Sequence, residues 1–259
     1  MPFLSRNSSH FCPMSGQGST LKHVVLGQVP STQAWAHANP EQWNPLGWTA
    51  ISADSQSQGQ GSGGTTWTDV PGSSLLMTLV SPELQWSSAF VFVRHAQASL
   101  VVVEWLQSLG FKAQLKWPND LYLHGLKLGG FFTEAYWQQN RCTRWFLGLG
   151  LNVSAAPEGC AFLAGLSLDG LVEQTAEMLS KALDAPLPPD VLDRYTSHLM
   201  GWQVLGTFRD NASGELLQAT PRLLSPDGRL GLELLSGGLR WVGHKELEWS
   251  ISPDPIKNF

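Results

Sequence analysis

Hydrophobic and polar positions first form a pattern over residues 23–28, a short β-branched run that predicts a strand. Ser31 can cap a short helix through Thr32, Ala34, Trp35 and Ala36, and residues 47–53 predict a second strand. Residues 54–66 are so rich in Gly, Ser, Gln and Thr that they cannot pack as an element on their own. They are either a linker or a ligand loop, and the strand predicted at 74–80, within the same presumptive domain, favours the loop. Trp86, Phe90, Val93, Ala96, Leu100 and Val103 then recur at spacings of three and four, which predicts a largely buried helix. A strand at 111–116, a hairpin over 121–136 turning near His124 and Gly125, and a strand at 144–151 complete a sheet. Helical spacing returns at 168–183 and 189–199. From Gly206 the pattern changes to short strands with turns at 211–214, 226–228 and 236–238, which predicts a small β-barrel. The chain therefore reads as α+β, with an N-terminal tail over 1–22, a catalytic domain over 23–201 and a small all-β domain over 202–259.

Composition narrows the function. With 42% hydrophobic residues, 12 tryptophans and 14% charged residues, the chain has material for a real core and little sign of disorder. A formal charge of −5 provides no broad attraction for nucleic acid, so no nucleic-acid partner is expected. Cys12, Cys142 and Cys160 are irregularly spaced and suggest neither a disulfide framework nor a zinc site, which fits a reducing cytoplasm. The longest apolar stretch, 89–105, is broken by Arg94, His95, Gln97 and Glu104, so no membrane segment is expected.

Two stretches carry chemistry. Gly59, Gly61 and Gly64 satisfy a GxGxxG pattern, but Pro71, Gly72 and a strand follow where a dinucleotide fingerprint needs a helix. No glycine stretch ends in Gly-Lys-Ser or Gly-Lys-Thr, so a P-loop also fails. A flexible glycine loop can still present backbone N–H groups to phosphate, the plainer alternative being a solvated loop. The second stretch is Lys116-Trp117-Pro118-Asn119-Asp120 followed by Lys127-Leu128-Gly129-Gly130-Phe131. A lysine at a strand end, an Asn-Asp pair beside proline and a second lysine across a tight hairpin gather two cations and a carboxylate. Such a set suits acyl-phosphate chemistry, with the cations offsetting a carboxylate and an α-phosphate and a carboxylate holding Mg²⁺ or orienting a lysine. A surface hairpin with a salt bridge is the bland alternative.

These residues resemble the biotin protein ligases, whose KWPND and Lys-Leu-Gly-Gly segments are highly specific. The likeness extends through Ser31-Thr32-Gln33, Gln56, Gly59 to Trp67, Pro71-Gly72-Ser73-Ser74-Leu75 and Gly148-Leu149-Gly150-Leu151-Asn152-Val153, about residues 23–155, and more loosely over 202–252. It implies a mixed sheet flanked by helices, a C-terminal SH3-like barrel, ATP-dependent formation of biotinyl-5′-adenylate with Mg²⁺, and transfer of biotin to a lysine of a biotin carboxyl carrier domain of acetyl-CoA carboxylase or a similar carboxylase. A homodimer is among the assemblies it allows. Carried over by position, Ser31, Thr32 and Gln56 look like partners of the ureido ring, which needs groups that both donate and accept. Gln33 stands where asparagine is usual. Lys127 looks like the catalytic lysine, with Lys116, Asn119 and Asp120 on the nucleotide and metal side. Gln60, Gly61, Ser62 and Trp67 would border the adenylate, and Gly129 and Gly130 would either admit the ligand or pack in the sheet.

The family's glycine loop usually carries four arginines, and this chain has Gly59-Gln60-Gly61-Ser62-Gly63-Gly64-Thr65-Thr66-Trp67. No Lys or Arg occurs between Lys22 and Arg94, so no nearby residue in sequence substitutes. Gln, Ser and Thr cannot reproduce a charge-assisted phosphate contact, and weak retention of the adenylate is the expected consequence, corrected by Arg at Ser62 and Gly63. A DNA-binding helical domain is not expected, since the stretch before the first strand is shorter than three helices require. Lipoate or octanoate ligation and a non-catalytic biotin-binding protein remain as alternatives.

Overall fold

The computed structural model describes residues 20–250. Most of the expected tail over residues 1–22 lies outside them, and the first strand already begins at Leu21. The N-terminal half comprises β1 (Leu21–Val29), α1 (Thr32–Ala38), β2 (Trp48–Gln56), β3 (Gly59–Gln60), β4 (Thr66–Trp67), β5 (Ser74–Val80), β6 (Trp86–Ser87), α2 (Ser88–Ser108), β7 (Ala113–Lys116), β8 (Asp120–Leu123), β9 (Leu126–Gln138) and β10 (Arg141–Asn152). There follow α3 (Leu171–Asp184), α4 (Val191–Ser197), β11 (Gly206–Asp210), β12 (Leu216–Leu224), β13 (Leu230–Leu234), β14 (Leu239–Val242) and β15 (Leu247–Ser250).

An eight-stranded sheet runs in the order β1-β2-β5-β10-β9-β8-β7, with β6 added beside β10. Only β1 and β2 are parallel and the other pairs are antiparallel, so the expected mixed sheet is present. Every residue of the central strand β5 is buried, because both faces of the sheet are covered; such a strand reads as a continuous apolar run rather than an alternation. Leu75, Leu79, Trp145, Leu147 and Leu151 enter the main core with residues of α2, α3 and α4, while Val80, Ile51 and Phe146 join Ala36 of α1 in a smaller cluster.

The predicted α2 helix starts later than its pattern suggested. Trp86 pairs with β10 instead of opening the helix, and Phe90 is 40% exposed, whereas Ala96, Leu100 and Val103 are buried as expected. By length and composition alone α2 is apolar enough to cross a membrane. Its apolar residues are instead spent on the sheet and on α3 and α4. Cys142 and Cys160 are free, burial pushing the Cys142 thiol up to about 11, and Cys12 lies outside the described residues.

Past α4 the chain forms an antiparallel five-stranded sheet, ordered β14-β13-β12-β11-β15. Its edge strands β14 and β15 do not pair with each other, so the hydrogen bonding leaves an open sheet where a closed barrel was expected. The short turn after β14 carries the chain across to the free edge of β11, which β15 then fills. Apolar packing continues through the expected boundary near Gly201: Phe208, Leu232, Val242 and Trp249 belong to the same core as Tyr195 and Leu199.

Gly129 shows how tightly the sheet is closed. A Cβ there would lie 2.5 Å from the Gly150 carbonyl oxygen on the neighbouring strand. Overpacking of this kind costs about 1–3 kcal/mol, so Gly129→Ala should lower the urea midpoint accordingly; an unchanged midpoint would mean that β9 and β10 can part at no cost.

Candidate active site

One cleft of about 530 Å³ opens between the sheet and the C-terminal strands. Its walls are the start of α1, the end of β2, the β3–β4 hairpin, the turn from β7 to β8, β9, β10 and the turn between β14 and β15. The glycine stretch is therefore a ligand loop in position, folded as a two-residue-per-strand hairpin with Gly59 opposite Trp67. The structure brings together Ser31, Thr32, Gln33, Gln56, Gln60, Gly61, Ser62, Trp67, Lys116, Asn119, Asp120, Lys127 and Gly130 on this cleft. Gly129 is the exception, because it packs against β10 and does not reach the cleft.

The head of the cleft is polar and uncharged. Ser31 caps α1 by accepting a hydrogen bond from Ala34 N at 3.4 Å, which turns the helix start toward the sheet. Thr32 N–H donates to Gln56 Oε1 at 2.7 Å, so the amide NH₂ of Gln56 is left as the donor. Thr32 and Thr78 hydroxyls meet at 2.8 Å, and Thr78 lies 3.3 Å from Gln33 Oε1. Gln33 uses its extra methylene to cross toward β9, donating to Glu134 at 3.0 Å, and His37 reaches the same carboxylate at 2.8 Å. Gly148 makes that crossing feasible, since a Cβ on it would lie 2.9 Å from Gln33 Oε1. Trp67 lies flat on Gly150 for the same reason, a Cβ there falling 2.8 Å from the indole.

The opposite end is charged. Lys127 Nζ and Asp120 Oδ1 form an ion pair at 2.8 Å. A bulge between β8 and β9, where Leu121 faces Gly129 and Tyr122 faces Lys127, sets Lys127 and Gly130 both on the cleft. In a regular strand residues three apart point to opposite faces. The ammonium of Lys116 lies over the Tyr122 ring at 5.4 Å.

Every residue of the 116–120 turn is fixed by a different partner. The Trp117 indole donates to the Gly228 carbonyl at 3.1 Å, and the Trp117–Pro118 peptide is cis. The Pro118 carbonyl accepts from His95 Nε2 at 3.0 Å and from the Tyr195 hydroxyl at 2.5 Å, two buried side chains from two helices. Asn119 donates to the Phe131 carbonyl at 2.6 Å and to Ser62 Oγ at 3.1 Å, and its own carbonyl accepts from Phe131 N at 2.8 Å. Because Pro118 O is only an acceptor, His95 must carry a proton on Nε2, and it is burial that keeps the ring neutral. Burial pushes His95 down to about 4, against the hydrogen bond to Pro118, which favours the charged form.

Several residues of the cleft and its support carry no signal in the sequence. Thr78 sits inside a strand that reads as pure core, and Glu134, which holds Gln33, is an ordinary position on a long strand. His244 and Lys245 lie far along the chain, in a turn with no motif, yet they border the cleft. His244 stands 3.4 Å from Ser62 Oγ. Among the described residues no cluster of three His, Cys, Asp or Glu side chains is placed to hold a metal by itself.

The chain is similar to known proteins. The profile of the Biotin/lipoate A/B protein ligase family matches residues 25–152. The chain is 29% identical over 150 residues to the bifunctional ligase/repressor BirA of Bacillus spizizenii, covering 52% of this chain and 43% of that protein. It is 29% identical over 169 residues to the bifunctional ligase/repressor BirA of Escherichia coli, covering 61% and 52%. The chain thus spans about half the length of these relatives. The structure of the biotin protein ligase from Aquifex aeolicus in complex with biotin and ATP superposes with a TM-score of 0.68 at 19% identity, over 89% of this chain and 99% of that one, a likeness of fold.

The neutral, buried His95 makes stability depend on pH. Its folded pKa of about 4 lies below the ordinary 6.5, so the unfolded chain takes up a proton that the folded chain refuses. The stability this contributes is complete above pH 6.5 and is lost as pH falls toward 4, at about 1.4 kcal/mol per unit within that window. Thermal melts from pH 7 to 4.5 should fall more steeply for the unaltered chain than for His95→Gln. Parallel curves would remove His95 as the source.

Proposed function

The chain belongs to the Biotin/lipoate A/B protein ligase family, and from that membership and its cleft we propose that it is an ATP-dependent biotin protein ligase. One observation carries the reading: a buried, uncharged donor-and-acceptor head and a lysine-bearing end share a single cleft. Biotin has the matching two ends, a neutral ureido bicycle and a carboxylate. A dithiolane ring has no N–H or carbonyl to meet the Gln56 amide NH₂ and the remaining hydrogen-bonding capacity of Ser31 and Thr32, which penalises lipoate.

In the first step a biotin carboxylate oxygen attacks the α-phosphorus of ATP; the P–O bond to the β-phosphate breaks and pyrophosphate leaves. Lys127 offsets the charge shared by carboxylate and α-phosphate, and Asp120 holds its ammonium in place at 2.8 Å. In the second step the amine of a carrier lysine attacks the acyl carbon, the bond to AMP breaks, and the amine loses its proton. Mg²⁺ fits the donor set, since it is commonly held by one or two carboxylates together with substrate phosphates. Asp120 would hold it, and its contribution is to offset phosphate charge. A biotin carboxyl carrier domain as acceptor, a cytoplasmic setting and a homodimer belong to the same reading, as does the C-terminal sheet as the counterpart of an SH3-like domain.

The direct test is incubation with labelled biotin, Mg-ATP and a biotin carboxyl carrier domain, with a lipoyl domain alongside. Label on the carrier domain supports the proposal and label on the lipoyl domain alone overturns it. Lys127→Ala should slow adenylate formation ~10²–10³-fold with an unaltered melt, and Lys116→Ala should do less. Pyrophosphate release near the unaltered rate would remove Lys127 from the chemistry. Gln56→Ala should raise the KM for biotin more than it lowers kcat, because it meets a group remote from the reacting atoms. An unchanged KM would exclude Gln56 from the pocket.

A further inference from the structure

We propose that His244 and Lys245, in the turn between β14 and β15, hold the glycine loop down and supply the positive charge for nucleotide phosphate that the loop itself lacks. The inference rests on the ligase reading of the same cleft. The loop from Gly59 to Trp67 carries no cation, and no Lys or Arg occurs between Lys22 and Arg94. Among the described residues the cleft is lined by Lys116, Lys127 and Lys245 against Asp120 and Glu248. Lys127 is matched by Asp120, so Lys245 decides whether this end is net positive or neutral.

Ser62 ties the loop to both sides of the cleft. Its hydroxyl accepts from Asn119 Nδ2 at 3.1 Å and lies 3.4 Å from His244 Nε2. A hydroxyl has one hydrogen and two lone pairs, so beside Asn119 it can donate to a bare His244 Nε2 or accept from Nε2–H, and the contact serves either tautomer. Burial, then Lys245, lower the His244 pKa against the pull of Asp120, which agrees with a neutral ring. Asn119, Ser62 and His244 form a chain from the 116–120 turn, through the loop tip, to the C-terminal sheet.

The turn that presents these side chains is anchored. Asn211 donates its side-chain amide to the Lys245 carbonyl at 2.7 Å and its backbone N–H to the Glu246 carbonyl at 3.0 Å. Lys245 has φ +64, a conformation that glycine adopts more readily than a residue with a Cβ. The arrangement also changes the expectation drawn from sequence for the loop. Arginine at Ser62 would remove the hydroxyl that joins Asn119 to His244, and so would loosen the loop while adding charge.

The test uses the full chain. Mg-ATP binding by titration calorimetry should weaken ~10-fold or more in Lys245→Gly, a change the backbone accepts, and recover in Lys245→Arg, with biotin affinity unaltered in both. In rapid filtration, His244→Ala and Ser62→Ala should release preformed biotinyl-adenylate faster than the unaltered chain does. ATP affinity unchanged in Lys245→Gly, or adenylate release unchanged in His244→Ala, would overturn the proposal. Biotin-dependent pyrophosphate release by the unaltered chain reports separately on the ligase reading, since ATP affinity is measured without turnover.

Discussion

The carbonyl of Pro118 is the point on which the site depends. A carbonyl oxygen has two lone pairs, and here His95 from α2 and Tyr195 from α4 fill both from within the core. Each such bond contributes about 1 kcal/mol net, and the carbonyl keeps one partner if either donor is lost. The turn that carries Asn119 and Asp120 is therefore fastened to two helices rather than to the surface. Asn119 positions the loop through Ser62, and Asp120 positions Lys127. The turn on the cleft is thus positioned by His95 and Tyr195, which do not line it.

A second constraint is space, and glycine provides it at two places on β10. Gly148 lets Gln33 cross from α1 to Glu134, and Gly150 lets the Trp67 indole lie against the strand. Gln33 is long enough to span from α1 to a carboxylate on β9 and is fixed there.

Charge follows the same logic. Along the chain the loop has no lysine or arginine near it. The tertiary fold brings the turn after β14 over the loop, so the cation and the imidazole arrive from about 180 positions away. A C-terminal sheet whose core is continuous with the catalytic core can hold that turn in register with the loop, which a loosely tethered module could not.

Strand and helix order, the His124–Gly125 hairpin, the Ser31 cap and the turn and hairpin over 116–130 were legible in the sequence, because they are written in short-range patterns: period, turn chemistry and capping residues. The site residues drawn from the resemblance fell on one cleft except Gly129, whose neighbour across the sheet was invisible along the chain. Trp86 was misplaced because a helix period and a short edge strand look alike at an element's end. Only the tertiary structure decided the bulge that turns Lys127 onto the cleft, the two donors on Pro118, the partner of Gln33 and the approach of His244 and Lys245. Each of these is a contact between residues distant in sequence, fixed by register and packing, and local pattern carries no information about either.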